Sequence, residues 1–136
     1  MPTNLDDITA IRTRFIDLWS VAHPAVPFAL DNEPPIETPT RSIWARLDVI
    51  PGAERKRILG SAPRYEQIGR VYFRVYAPAG EANGEPWALA ESFAAIFREW
   101  DSPDFRIRLD TPDFSSGIDD DGDFMVMVSI PYTAQH

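Results

Sequence analysis

Catalysis needs a nucleophile or a base whose surroundings can tune it, and this sequence offers few candidates. There are two histidines. His23 stands at a helix exit before Pro24, and His136 is the last residue of the sequence. Neither has a spacing that suggests a metal site or a triad, and His23 reads as a helix cap. Ser92, Ser115 and Ser116 lack the strand–turn–helix context of a nucleophile elbow. Gly80 and Gly84 flank a strand-to-helix turn, but a phosphate loop would carry Gly-Lys-Ser/Thr there. The absence of cysteine excludes disulfides, thiol chemistry and cysteine-ligated zinc. The residues therefore lead to an expectation of no catalytic group, no metal and no cofactor: a non-enzyme.

Two clusters call for binding rather than catalysis. Asp119-Asp120-Asp121-Gly122-Asp123 resembles the opening of a calcium loop, but an apolar strand begins at Phe124 where further ligands would be needed, so a tight acidic turn is the simpler reading. Arg70, Tyr72, Arg74 and Tyr76 alternate along one face of a strand. Arginine and aromatic side chains on a sheet can stack nucleobases, but the basic-Gly-aromatic run of RNA-recognition folds is missing. A sheet face meeting water, a helix or another subunit accounts for the same residues. Trp87 points away from the apolar stripe of its helix and is expected either to cover the preceding loop or to anchor an interface.

The elements that position these groups are marked out by 13 prolines, about twice the usual ~5% share, because proline is pushed to the edges of helices and strands. Leu5 to Ala22 is a predicted helix. Asn4 serves as cap, Asp6 and Asp7 lie in the first turn, and Ile8, Ile11, Phe15, Leu18, Trp19 and Ala22 form one face. A short strand is allowed at Val26 to Leu30. Ile43 to Ile50 alternates as a strand and Pro51-Gly52 is expected to stop it. Ala53 to Arg64 reads as an exposed basic loop or a long hairpin tip. Gln67 to Ala77 is the clearest strand. Pro86 opens a second helix running to about Trp100, with Leu89, Phe93, Ile96, Phe97 and Trp100 facing the core and Ala90 beside them. Strands at Phe105 to Leu109 and Phe124 to Tyr132 close the chain. The predicted fold is α+β, a single mainly antiparallel sheet with two helices packed on it in the order α-β-β-β-α-β-β.

At 136 residues and 15.4 kDa the chain fits one domain, 1–136. Its 44% hydrophobic and 25% charged residues are those of an ordinary globular protein. The start, MPTNLDDITA, lacks the pattern of a signal peptide, and no apolar run approaches the ~18 residues of a membrane span; the expectation is synthesis in the cytoplasm and no membrane partner. The net charge of −8 would repel nucleic acid from the chain as a whole, but it is sorted by region. Residues 41–74 hold eight basic and three acidic side chains, and residues 99–136 hold two basic and nine acidic. Patches of opposite sign can meet inside one fold or between copies placed head to tail, the arrangement that closes rings.

The run Gly69-Arg-Val-Tyr-Phe-Arg-Val-Tyr-Ala-Pro-Ala-Gly80, followed by Pro86-Trp-Ala-Leu-Ala-Glu-Ser-Phe-Ala-Ala-Ile-Phe97-Arg98, resembles the tail terminator (tail completion) proteins of long-tailed bacteriophages. The N-terminal helix, the proline-rich stretch around Phe28 to Pro35 and the closing strand Phe124 to Tyr132 fit the same pattern, so the likeness covers residues 5–132. It implies a structural virion protein with no enzymatic residues to carry over. Such subunits form a ring, typically a hexamer, that caps the tail tube at its head-proximal end. The implied partners are other copies of the chain, the tail tube protein and a head-completion or neck protein, with DNA passing through the lumen without specific binding. Candidate interface residues are Arg55, Lys56, Arg57, Arg64, Arg70 and Arg74 on the basic side, Asp119, Asp120, Asp121 and Asp123 on the acidic side, and Trp87. The alternatives are a head-to-tail connector or a monomeric binding module using the Arg70/Tyr72/Arg74/Tyr76 face.

Overall fold

A computed structural model describes residues 3–31, 33, 43–59, 62–78, 84–98, 100–118 and 123–136, the side chains of 57–59, 62 and 63 excepted. Helix α1 (Asn4–Ala22) is capped one residue earlier than expected. Thr3 Oγ1 accepts the Asp6 N–H at 3.3 Å and the Thr3 N–H donates to the Asp6 carboxylate at 2.7 Å, a reciprocal capping box. Its buried face is Asp7, Ile11, Phe15 and Trp19, narrower than the predicted stripe: Ala22 is exposed and Leu18 is 41% exposed. His23 is the C-cap as expected. Its N–H donates to the Trp19 carbonyl at 2.7 Å, and its ring Nε2 lies 2.7 Å from Ser92 Oγ.

Strand β1 (Phe28–Ala29) pairs parallel with β2 (Trp44–Leu59), which forms a long antiparallel hairpin with β3 (Ala62–Ala77). The sequence reading stopped β2 at Pro51-Gly52, but the strand continues to Leu59. The pairing slips between Pro51 and Glu54, a β-bulge that accommodates the proline. Gln67, buried, explains why the slip is tolerated: its Nε2 donates to the Gly52 carbonyl at 2.7 Å and to the Ile68 carbonyl at 2.9 Å, satisfying acceptors beside the irregularity. Residues 53–59 and 62–64 are therefore strand, the arm of a long hairpin, the second of the two readings.

Helix α2 (Gly84–Phe97) carries the chain to β4 (Ile107–Leu109), β5 (Asp113–Ile118) and β6 (Phe124–Gln135). The sheet order is β1-β2-β3-β6-β4, with β5 also on β6. All pairs are antiparallel except β1 with β2, so the sheet is mixed. β5 was missed in the sequence because only two of its six residues, Phe114 and Ile118, are apolar. Ala94 adds to the buried face of α2.

Both helices cover one face. There Ala45, Leu47, Val49, Val71, Phe73, Val75, Val126, Val128 and Ile130 meet Ile11, Phe15, Trp19, Leu89, Phe93 and Phe97 in one cluster. Arg14 ties the helices together, donating through Nε and Nη2 to the Ile96 carbonyl at 3.0 and 2.7 Å, near the α2 C-terminus where a cation is favoured.

Candidate subunit interface

Strand alternation sends every second residue of this sheet away from the helices. The register aligns them in rows: Trp44 beside Tyr76 and Met125; Arg46 beside Arg74 and Met127; Asp48 beside Tyr72 and Ser129; Ile50 beside Arg70 and Pro131. No described helix packs on this face. Trp44 and Tyr76 stack with centroids 4.4 Å apart and planes at 15°. Asp48 binds two arginines, Arg74 Nη1 at 2.8 Å and Arg46 Nε at 3.3 Å, while Arg46 Nη1 also donates to the Glu33 carbonyl at 3.1 Å. Arg74 lies over Tyr72, 5.4 Å from its centroid, and Arg70 donates to Ser129 Oγ at 2.9 Å. The four residues singled out from the sequence thus share one face. The guanidinium groups of Arg70 and Arg74 are each tied to a neighbour on the sheet, which limits their freedom. Below them a pocket of about 500 Å³ is lined by Ile68, Arg108, Asp110, Pro131, Tyr132 and Thr133, among others.

The basic residues further along the hairpin extend away from the core. Arg55, Lys56 and Arg64 are exposed, and the Arg57 backbone pairs with Arg64. Asp119, Asp120 and Asp121 lie outside the described residues, but they join Ile118 to Asp123, and Ile118 and Phe124 pair beside Ala77 at the far end of β3. From Arg64 to Ala77 is about 40 Å of extended strand. Among the described residues, exposed Arg55, Lys56 and Arg64 therefore stand at one end of the hairpin and Asp123 at the other, with Arg70 and Arg74 of the same basic group between them. Trp87 is half-buried with its ring 6.2 Å from that of Phe114 on β5; the loop before its helix lies outside the described residues.

Sequence reasoning missed a polar cluster at the lower end of the core. Asp7, fully buried, takes an ion pair from Arg106 and lies 2.7 Å from His136 Nε2. Arg106 is aimed there by a turn in which Asp104 accepts from Ser102 Oγ at 2.6 Å and from the Arg106 N–H at 3.1 Å, with Phe105 in the left-handed region at φ 57°. These bonds, the Ser102 hydroxyl first, hold the Asp104 carboxyl below its ordinary pKa. No spacing rule links positions 7, 106 and 136. The one available signal was an aspartate in the first helical turn, which dipole complementarity already explained.

Tyr132 lies beside this cluster, its ring across Gly69, the residue it pairs with; a Cβ at Gly69 would sit 2.5 Å from Tyr132 Cζ. Its buried Oη has no hydrogen-bond partner among the described residues. Burial, and then the charge of Asp7, push its phenol up to about 12. A raised pKa in the folded state means that the neutral phenol's contribution is intact below the unfolded value of about 10 and is lost as pH climbs from there to about 12. Tyr132→Phe is expected to remove that alkaline component and, by deleting an unpaired buried hydroxyl, to match or exceed wild-type stability at pH 7 by up to about 1 kcal/mol. Urea unfolding between pH 8 and 12 checks both; a variant with the wild-type pH profile would refute the assignment.

Among the described residues no cluster of histidine, aspartate and glutamate is arranged to hold a metal, and no helix is long and apolar enough to cross a membrane. The fold is a two-layer α+β arrangement with an arginine- and aromatic-bearing row on the sheet face away from the helices. Residues 8–132 match the sequence model of the phage tail terminator protein family, and the chain belongs to that family; it is a structural protein of the phage tail. A solved structure 22% identical in sequence shares the fold, with a TM-score of 0.70 over 99% of this chain and 98% of its own. No curated protein matches the sequence.

Proposed function

We propose that the whole chain, 1–136, acts as one ring-forming unit, typically six copies, that caps the tail tube at its head-proximal end. The ring stops tube growth, offers its far side to a head-completion or neck protein, and leaves a lumen through which DNA passes without specific binding. The observation that supports this reading most is the separation of charge: the arm with Arg55, Lys56 and Arg64 and the residue Asp123 before β6 stand at opposite ends of one sheet. Surfaces of opposite sign at opposite ends of one sheet can meet between chains, and a head-to-tail contact closes a ring. Family membership supports the tail location.

Changing Asp119, Asp120, Asp121 and Asp123 together to serine is expected to weaken self-association about tenfold at low ionic strength, with the difference shrinking as salt screens the wild-type contact. Light scattering across salt concentrations, alone and with assembled tail tubes, measures this. Association identical to wild type at every ionic strength would remove the acidic turn from the contact. A wild-type protein that stays at 15.4 kDa at all concentrations, with and without tubes, would remove the ring.

A further inference from the structure

One edge of the sheet is divided between β4 and β5, and only β4 is covered. The segment before β4 takes up its outer groups: Ser102 N–H donates to the Ile107 carbonyl at 2.8 Å and Leu109 N–H to the Trp100 carbonyl at 2.9 Å. Beside β5 no backbone partner lies along the outer side among the described residues. The directions of its groups follow from β6. Gln135 N–H donates to the Arg106 carbonyl and Asp110 N–H to the Pro131 carbonyl, each at 2.9 Å, so odd-numbered residues of β6 face this edge. β6 keeps regular register with β3 from Phe124 to Gln135, so the alternation holds along its length. Asp113, Ser115 and Gly117, opposite Ser129, Met127 and Met125, therefore direct their backbone groups to β6. Phe114, Ser116 and Ile118 direct theirs outward.

An exposed edge is ordinarily blunted by lysine, proline or a bulge. The strand Asp-Phe-Ser-Ser-Gly-Ile contains no lysine or proline, keeps continuous register, and leaves Ile118 64% exposed. The opposite edge of the sheet is open over part of its length as well. β1 covers β2 at Ala45 and Arg46, and the Asp31 carboxylate accepts the Val49 N–H at 2.9 Å; beyond the bulge, Glu54 to Lys56 have no backbone partner on the outer side among the described residues. The two bare edges differ in charge. Exposed Asp110 precedes β5 and exposed Asp113 begins it, whereas on the arm exposed Arg55 and Lys56 outnumber exposed Glu54. They are also staggered along the strand direction, β5 lying beside residues 124–129 of β6 and the arm beside residues 65–67 of β3.

From these observations we infer that β5 of one copy pairs, strand to strand, with the outer edge of the β2 arm of the next, making the sheet continuous across the subunit boundary. This rests on the ring reading above and specifies its contact. Main-chain hydrogen bonds supply the attraction and the opposed charges set the register. Ser116→Pro is the direct test. It removes an outward N–H and places a ring on the outer side while leaving the groups that bond β6 in place. Native mass spectrometry is expected to find self-association weakened at least about tenfold, with unfolding temperature little changed. Hydrogen exchange of the wild type gives a second reading that does not depend on a variant folding: in the assembled state the amides of Phe114, Ser116 and Ile118 slow sharply relative to the dilute subunit. A Ser116→Pro ring as tight as wild type, or unslowed exchange at those amides within an assembled ring, overturns the edge contact and leaves the ring reading standing. A wild type that never associates overturns both.

Discussion

Phe73→Ala is expected to cost about 3–5 kcal/mol of folding stability, the range for emptying a buried phenylalanine site. The ring is fully buried at the point where three elements meet. It stacks on Phe93 of α2 with centroids 4.2 Å apart and planes 5° from parallel, meets Trp19 of α1 edge-on at 5.0 Å, and lies 5.8 Å from Phe15. Truncation removes burial, the aromatic pairing and the wedge that holds both helices against the sheet. The neighbours cannot collapse into the space without moving a helix, which places the cost at the upper end of that range. Against a total of about 5–15 kcal/mol for an ordinary domain, the loss consumes a third or more of the margin and should lower the unfolding midpoint by about 10–20 °C. Phe73→Leu keeps most of the volume and should lose clearly less. Thermal and urea unfolding distinguish the two, and a Phe73→Ala loss below about 1 kcal/mol would mean the helices are not packed as described.

Much of this core was readable because period alone determines it. Val71, Phe73 and Val75, and Val126, Val128 and Ile130, alternate as strands packed on one face must, and Ile11, Phe15 and Trp19 follow the helical repeat. What escaped reading has a different physical origin in each case. Pro51-Gly52 breaks a strand by local propensity, but Gln67, fifteen residues away, offsets the cost by bonding the carbonyls beside the bulge. β5 has almost no apolar alternation because it is an edge strand, held by the backbone of β6 rather than by side-chain burial.

The contact surface was legible in part for the same reason. Arg70, Tyr72, Arg74 and Tyr76 share a face by alternation, so their grouping followed from sequence. Their partners did not: Asp48, Arg46 and Ser129 reach them only through the registers of β2 and β6. Segmental charge was visible as a sum, but that the basic arm and Asp123 stand at opposite ends of one sheet is a property of the topology. Trp87 was recognised as off the core stripe, yet its neighbour Phe114 belongs to the strand the pattern did not reveal.

Asp7→Ala is expected to cost about 3 kcal/mol, because it leaves a buried cation without its partner. Asp7 is fully buried; the Arg106 side chain is 17% exposed, and its other carboxylate, Asp104, is 3.8 Å away and largely in solvent. Losing Asp7 also releases His136, whose ring it holds at 2.7 Å, and so loosens the end of β6, where His136 N–H donates to the Tyr65 carbonyl at 2.8 Å. The damage should therefore be uneven. Exchange of the His136 amide should accelerate by much more than that of Val128 at the centre of β6, a pattern that a uniform loss of stability would not produce. Asp7→Asn retains the shape and some hydrogen bonding but not the charge, and should fall between wild type and alanine. Combining Asp7→Ala with Arg106→Met should recover part of the loss, since it is the unpaired charge that is expensive and an apolar pair of similar volume is tolerated. If the double variant is as unstable as the sum of the single ones, the ion pair is not what secures the end of β6 and the base of the arm beside it.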